Sequence, residues 1–116
     1  MIHSPVQSIY DLIENQYNLI ITTEENPLVT SVGVTDVIVL GNNPRRLSFA
    51  LINLSANTLY VRPMAPASAT AGIVLVSGGG SLTMDWTTDG LLPSLEWHAL
   101  ATGAGSAIYI MSVIIR

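Results

Sequence analysis

Few residues in this chain are of types that do chemistry, and their spacing argues against most of it. Asp85 and Asp89, with Glu96 nearby in sequence, could supply paired carboxylates for acid–base work. Such work needs two carboxyl groups converging on a cleft, with their proton affinities pushed apart. Asp85 instead falls on the polar phase of an alternating segment, and Asp89-Gly90 is a turn pair. A calcium site built from the same oxygens would need roughly six to eight converging ligands. His98, flanked by Glu96 and within reach of several serines, is the one place to look for a serine–histidine–acid arrangement. No Gly-x-Ser-x-Gly elbow occurs to supply the nucleophile, so a strand-face imidazole with a local hydrogen bond is the simpler reading.

The remaining motifs give way to structural readings as well. Gly78-Gly79-Gly80-Ser81 is glycine-rich like a phosphate-binding loop, but the chain has no lysine and a strand follows where a helix should; it reads as a hairpin turn. Asn53-Leu54-Ser55 matches a glycosylation acceptor and also a turn made by polar side chains. There is no cysteine, which excludes disulfides and thiolate chemistry, and His3 and His98 are too few for a histidine-based metal site. No catalytic residue, cofactor or metal ligand is expected, and the chain reads as a non-enzyme. Trp86, Trp97 and Tyr60 could stack on a sugar ring, but all three fall in strand-like segments, where core packing is the ordinary use of an aromatic.

Composition says more than the motifs do. Charged residues make up 10% of the 116, against roughly 25% in soluble domains. All four basic groups are arginines: Arg45, Arg46, Arg62 and Arg116. A monomer of 12.4 kDa exposes on the order of 6,000 Å², which leaves about one charge per 500 Å². Together with the positive mean hydropathy of +0.50, this points to a surface covered in part by other subunits. The net charge of −4 and the lack of a basic cluster beyond Arg45–Arg46 exclude counterion-releasing contact with nucleic acid. No apolar run approaches the roughly eighteen residues of a membrane span, and the N-terminus lacks the basic-then-apolar order of a secretory signal.

The chain divides into a helical arm, residues 1–18, and a β domain, residues 19–116. Ser4 can cap the helix, with Pro5 at its first position and Gln7 at its third. Val6, Ile9, Tyr10, Ile13 and Tyr17 then form one apolar stripe. A helix this short is marginal alone, so the stripe must dock, either on its own domain or on a neighbour. Strand-like segments follow at 19–23, 35–40, 46–54, 58–62, 72–76, 81–86, 95–101 and 106–115, with 58–62 as the hairpin partner of 46–54. Residues 24–27 look like a turn or the base of an arm, and 63–70 like a surface connection. Leu82, Met84 and Trp86 share one face, as do Leu95, Trp97 and Ala99, with Glu96 and His98 opposite. About seven or eight short strands and no second helical pattern indicate an all-β sandwich or jelly-roll-like domain.

The last segment departs from the alternating rule. Ile108, Ile110 and Ile114 line one face, while Tyr109, Met111, Val113 and Ile115 line the other. A strand with one wet face does not read this way. Either its own domain covers the second face, or a second copy or another partner does.

The run 43–61, NPRRLSFALINLSANTLYV, with Gly79-Gly80-Ser81-Leu82-Thr83-Met84-Asp85, Glu96-Trp97-His98-Ala99-Leu100-Ala101 and Ala104-Gly105-Ser106 after it in order, resembles a pattern in small virion proteins of tailed phages. The likeness spans residues 43–115. It implies a β-sandwich module on a phage head, a cement or decoration protein that sits as a trimer at capsomer junctions. Its partners would be copies of itself and a major capsid or other virion protein, and its location the capsid, assembled in the host cytoplasm. The family carries no catalytic residues to this chain. The surfaces expected to meet a partner are Val6, Ile9, Tyr10 and Ile13 on the helix, and Tyr109, Met111 and Val113 on the last strand. The alternative is a glycan- or host-surface-binding module of a tail or fibre.

Overall fold

The computed structural model describes residues 8–116. Helix α1 (Ile9–Tyr17) starts later than the Ser4–Pro5–Gln7 pattern suggests. Ser8 is extended and its hydroxyl accepts the Asp11 N–H at 3.3 Å, so Ser8 is the N-cap. Asn18 closes the helix in the left-handed conformation, φ 54°, and donates its N–H to Glu14. Ser4, Pro5, Val6 and Gln7 lie outside the described residues.

Nine strands follow: β1 (Ile21–Glu24), β2 (Val29–Val32), β3 (Val37–Leu40), β4 (Arg46–Asn53), β5 (Leu59–Pro63), β6 (Ile73–Leu75), β7 (Ser81–Asp85), β8 (Trp97–Ala101) and β9 (Ser106–Ile115). Strand β2 (Val29–Val32) has no counterpart among the segments expected from the sequence and is the added strand. All pairings are antiparallel. One sheet runs β1-β9-β4-β7 with β2 also on β9, and the other runs β3-β8-β5-β6. β1 and β2 pair with successive halves of the ten-residue β9, Glu24 opposite Ser112 and Val29 opposite Tyr109. They behave as one strand interrupted around Pro27, a residue with no N–H to give the ladder. Counted so, eight strands form two four-stranded sheets, and the chain alternates between them in jelly-roll order.

That alternation corrects two expectations. Strand β5 is not the hairpin partner of β4, and the triple-glycine turn joins β6 to β7 across the sandwich rather than within a hairpin. The cause of the first is the corner after β4. Asn53 is fully buried, and its amide donates to the carbonyls of Asn57, Leu75 and Val76 at 2.7, 3.0 and 3.1 Å. Its Oδ1 accepts the Ser55 N–H at 2.9 Å and the Ser55 hydroxyl at 2.7 Å. One side chain therefore ties the corner after β4 to the backbone of the 75–76 segment, adding to the donors that Gly80 and Ser55 give the Val76 and Asn57 carbonyls. Asn57 in turn reaches Ser106 Oγ at 2.9 Å and lies over Gly103, where a Cβ would sit 2.6 Å from its amide nitrogen. Asn53-Leu54-Ser55 is thus a folded corner whose asparagine is closed to solvent.

The core lies between the sheets and follows the strand alternation. Phe49, Leu51, Ile108 and Ile110 come from one side; Leu59, Val61, Leu75, Trp97 and Ala99 come from the other. Phe49 and Trp97 meet edge to face with centroids 5.1 Å apart, and the Trp97 indole donates to Leu92 O at 2.9 Å. Leu82 and Met84 pack onto this core as expected. Trp86 does not: it begins the short helix α2 (Trp86–Asp89) and is 42% exposed. Asp85 ends the strand there, because its carboxylate accepts the Thr87 N–H at 2.9 Å and caps the turn. At the same end of the sandwich the Arg46 side chain enters between the sheets, 5% exposed, and donates to Pro93 O and Gly41 O. Burial pulls its proton affinity down and Glu24 acts against that shift. Among the described residues, no helix is long and apolar enough to cross a membrane.

Candidate functional site

The surface with the clearest design is the outer face of the five-stranded sheet. Strand register assembles it row by row. Thr23, Val113, Ser48 and Asp85 form one row. Met111, Ala50 and Thr83 form the next, and Val29, Tyr109, Ile52 and Ser81 the third. Val113, Met111, Tyr109, Ala50 and Ile52 run down the middle with Ser48 among them, and the margins carry Thr23, Thr83, Ser81 and Asp85 together with the exposed Val29. Met111 is 42% exposed, and Tyr109 and Val113 are half-buried. The short Ala50 side chain floors a groove of about 530 Å³ between Met111, Thr83 and Asp85. At one margin the Tyr109 hydroxyl donates to the Glu25 carboxylate, and this bond raises the phenol's pKa above its ordinary value.

Helix α1 lies at the Val113 end of the same face. Ile9 and Ile13 line a second groove of about 310 Å³ with Ile21, Leu47, Trp86 and Val113. Tyr17 meets Trp86 edge-on at 5.6 Å. The helix is lightly seated: Ile9 is 63% exposed and Tyr17 is exposed as well. The structure therefore gathers Ile9 and Ile13 with Val113 at one end of the face, and sets Met111 and Tyr109 further along β9. Val6 lies outside the described residues, as does the Tyr10 side chain. Sequence reasoning missed Ala50, Ile52, Leu47 and Trp86 as parts of this surface. A signal for Ala50 and Ile52 existed, since both fall on the phase of β4 opposite Phe49 and Leu51, but only register places them beside Met111 and Tyr109.

The chemistry-bearing residues do not converge on one site. Asp85 and Asp89 are tied together in the cap of α2, where Asp89 accepts the Asp85 N–H at 2.9 Å. Glu96 and His98 stand on the outer face of the other sheet. His98 Nε2 lies 2.7 Å from Glu96 Oε1, and Nδ1 lies 2.7 Å from Oδ2 of Asp36, a residue 62 positions away that no local pattern singles out. With both nitrogens engaged by carboxylates, none is left to draw a proton from a hydroxyl nucleophile. The hydrogen bond that the ring gives to Asp36 raises the histidine's pKa, partial burial opposes it, and Glu96 raises it further. Among the described residues, no group of three or more His, Asp or Glu side chains is arranged to hold a metal ion. The aromatic residues are likewise dispersed. Trp97 is in the core, Trp86 is beside α1, and Tyr60 is half-buried on the opposite outer face.

No family model matches the chain, and no curated protein matches it. A solved structure described as "Bacillus endospore appendages form a novel family of disulfide-linked pili" aligns with a TM-score of 0.47 and 16% identity, covering 80% of this chain and 85% of that one. A likeness so distant carries no conclusion about partner, location or activity.

Proposed function

We propose that this chain is a non-enzymatic structural subunit that works by packing against copies of itself and other proteins in a larger particle. The observation that carries the reading is the outer face of the β1-β9-β4-β7 sheet, a largely apolar centre with a mostly polar margin. That is the anatomy of a protein interface. Ten residues of β9 at about 3.4 Å each and four strands at about 4.8 Å make a face of roughly 650 Å² in projection. A standard interface buries about 800 Å² per partner, so this face with the apolar side of α1 is large enough for one. Apolar area removed from water contributes roughly 25 cal/mol per Å² before the costs of association. The finer reading is a cement or decoration protein on a phage head, acting as a homo-oligomer with a trimer favoured. It is supported by the resemblance over residues 43–115, by the sparse charge, and by a jelly-roll order that viral capsid domains share with lectins and cupins. The alternative, a glycan-binding module, has the exposed Trp86 beside Tyr17 in its favour.

The test contrasts two neighbours on β9. Met111→Asp places a charge on the outer face, and Ile110→Asp places one in the core. Met111→Asp is expected to keep the wild-type unfolding transition while losing self-association and binding to phage shells in sedimentation; Ile9→Asp with Ile13→Asp should do the same. Ile110→Asp should fail to fold. If the wild-type chain sediments as a single unit at millimolar concentration and binds no shell, the reading is wrong.

A further inference from the structure

The arrangement around His98 has a consequence independent of the assembly surface. A neutral imidazole has one N–H donor and one lone-pair acceptor. Here both ring nitrogens face carboxylate oxygens at 2.7 Å, Nδ1 toward Asp36 and Nε2 toward Glu96. A carboxylate oxygen can only accept, so a neutral ring would leave one nitrogen lone pair pointing at an anion. Only the imidazolium donates to both, and 2.7 Å is the length of a charge-assisted bond.

The two carboxylates belong to different parts of the chain. Glu96 immediately precedes β8, which carries His98. Asp36 sits in the turn between β2 and β3, and its other oxygen accepts the N–H of Ala67 at 2.8 Å. Ala67 is the buried residue of the long connection between β5 and β6. One ring therefore fastens the turn that leads into edge strand β3 and, through Asp36, the 64–72 connection. We propose that His98, Asp36 and Glu96 form a pH-operated clasp that holds this turn and this connection against the four-stranded sheet while the imidazole is protonated, and lets them loosen when it is not.

The charged surroundings are simple. The cross-strand neighbours of His98 are Ile38 on β3 and Arg62 on β5. Among the described residues Arg62 is the one cation at a neighbouring register position, and its guanidinium turns to Pro66 O at 3.2 Å. Residues 63–71 carry no titratable side chain. The sign follows from the direction of the shift. The folded-state pKa lies above the ordinary 6.5, so the clasp's contribution is complete below about 6.5 and is lost as pH rises through the folded value.

NMR titration of the intact chain tests the clasp, since His3 and His98 are its two histidines and a His3→Gln variant assigns the pair. The His98 midpoint is expected above that of His3. The Ala67 amide should lose on the order of tenfold in exchange protection, the loss expected for a charge-assisted hydrogen bond, with the same midpoint. Asp36→Asn should lower the His98 midpoint and flatten the pH response at Ala67. A His98 midpoint at or below that of His3 would overturn the proposal. So would Ala67 protection that stays constant through the His98 titration.

Discussion

Replacing Asn53 by alanine should be among the most damaging polar substitutions in this protein. The side chain is fully buried; its two amide hydrogens are shared among three backbone carbonyls, and its Oδ1 accepts two hydrogen bonds from Ser55. A buried intramolecular bond contributes about 1 kcal/mol net, and a polar group left buried and unpaired costs about 1–3 kcal/mol. The Leu75 carbonyl is the group least able to find water, because the bond it accepts is buried. The partly buried carbonyls of Val76 and Asn57 keep the Gly80 N–H and the Ser55 hydroxyl as donors, which limits the loss there. The expected destabilisation is therefore about 3–5 kcal/mol, a large share of the roughly 5–15 kcal/mol of a typical domain. Asn53→Asp is nearly the same shape and should be at least as harmful at neutral pH, because a carboxylate oxygen would then face three carbonyls. Urea unfolding followed by Trp97 fluorescence measures both, with an unchanged slope showing that the same surface is exposed on unfolding. Ser55→Ala, which spares the three donated bonds, should cost about 1 kcal/mol. If Asn53→Ala falls within 1 kcal/mol of wild type, this side chain does not hold the corner between the sheets.

Two further outcomes follow from the same geometry. Gly103→Ala should destabilise by about 1–3 kcal/mol through overpacking, because the new methyl would meet the Asn57 amide; adding Asn57→Gly should recover part of the loss of Gly103→Ala in a double-mutant cycle, and independent effects would refute the contact. Acrylamide should quench Trp86, which is 42% exposed, and spare Trp97, which is fully buried; sugar-dependent quenching of the Trp86 signal would favour the glycan-binding alternative.

Much of the sandwich was legible because strand alternation is a local property. Leu82 and Met84, Trp97 and Ala99, and Ile108 and Ile110 point inward as their spacing requires, since successive side chains leave a strand on opposite faces. The doubly apolar β9 was legible for the same reason. What could not be read was which strands pair. β4 and β5 adjoin in sequence yet lie in different sheets, because the Asn53 corner ties the turning chain to the Leu75 carbonyl of the other sheet. Trp86 left its strand phase because Asp85 capped a helical turn where alternation predicted one more strand residue. Asp36 joins His98 across 62 positions of sequence, and no local pattern encodes a contact that exists only once two sheets have closed. The residue types alone determined an apolar, charge-poor β domain with oily faces to spare. Tertiary structure decided which faces those are, because register and sheet exchange are settled by the collective burial of one core and by no single segment.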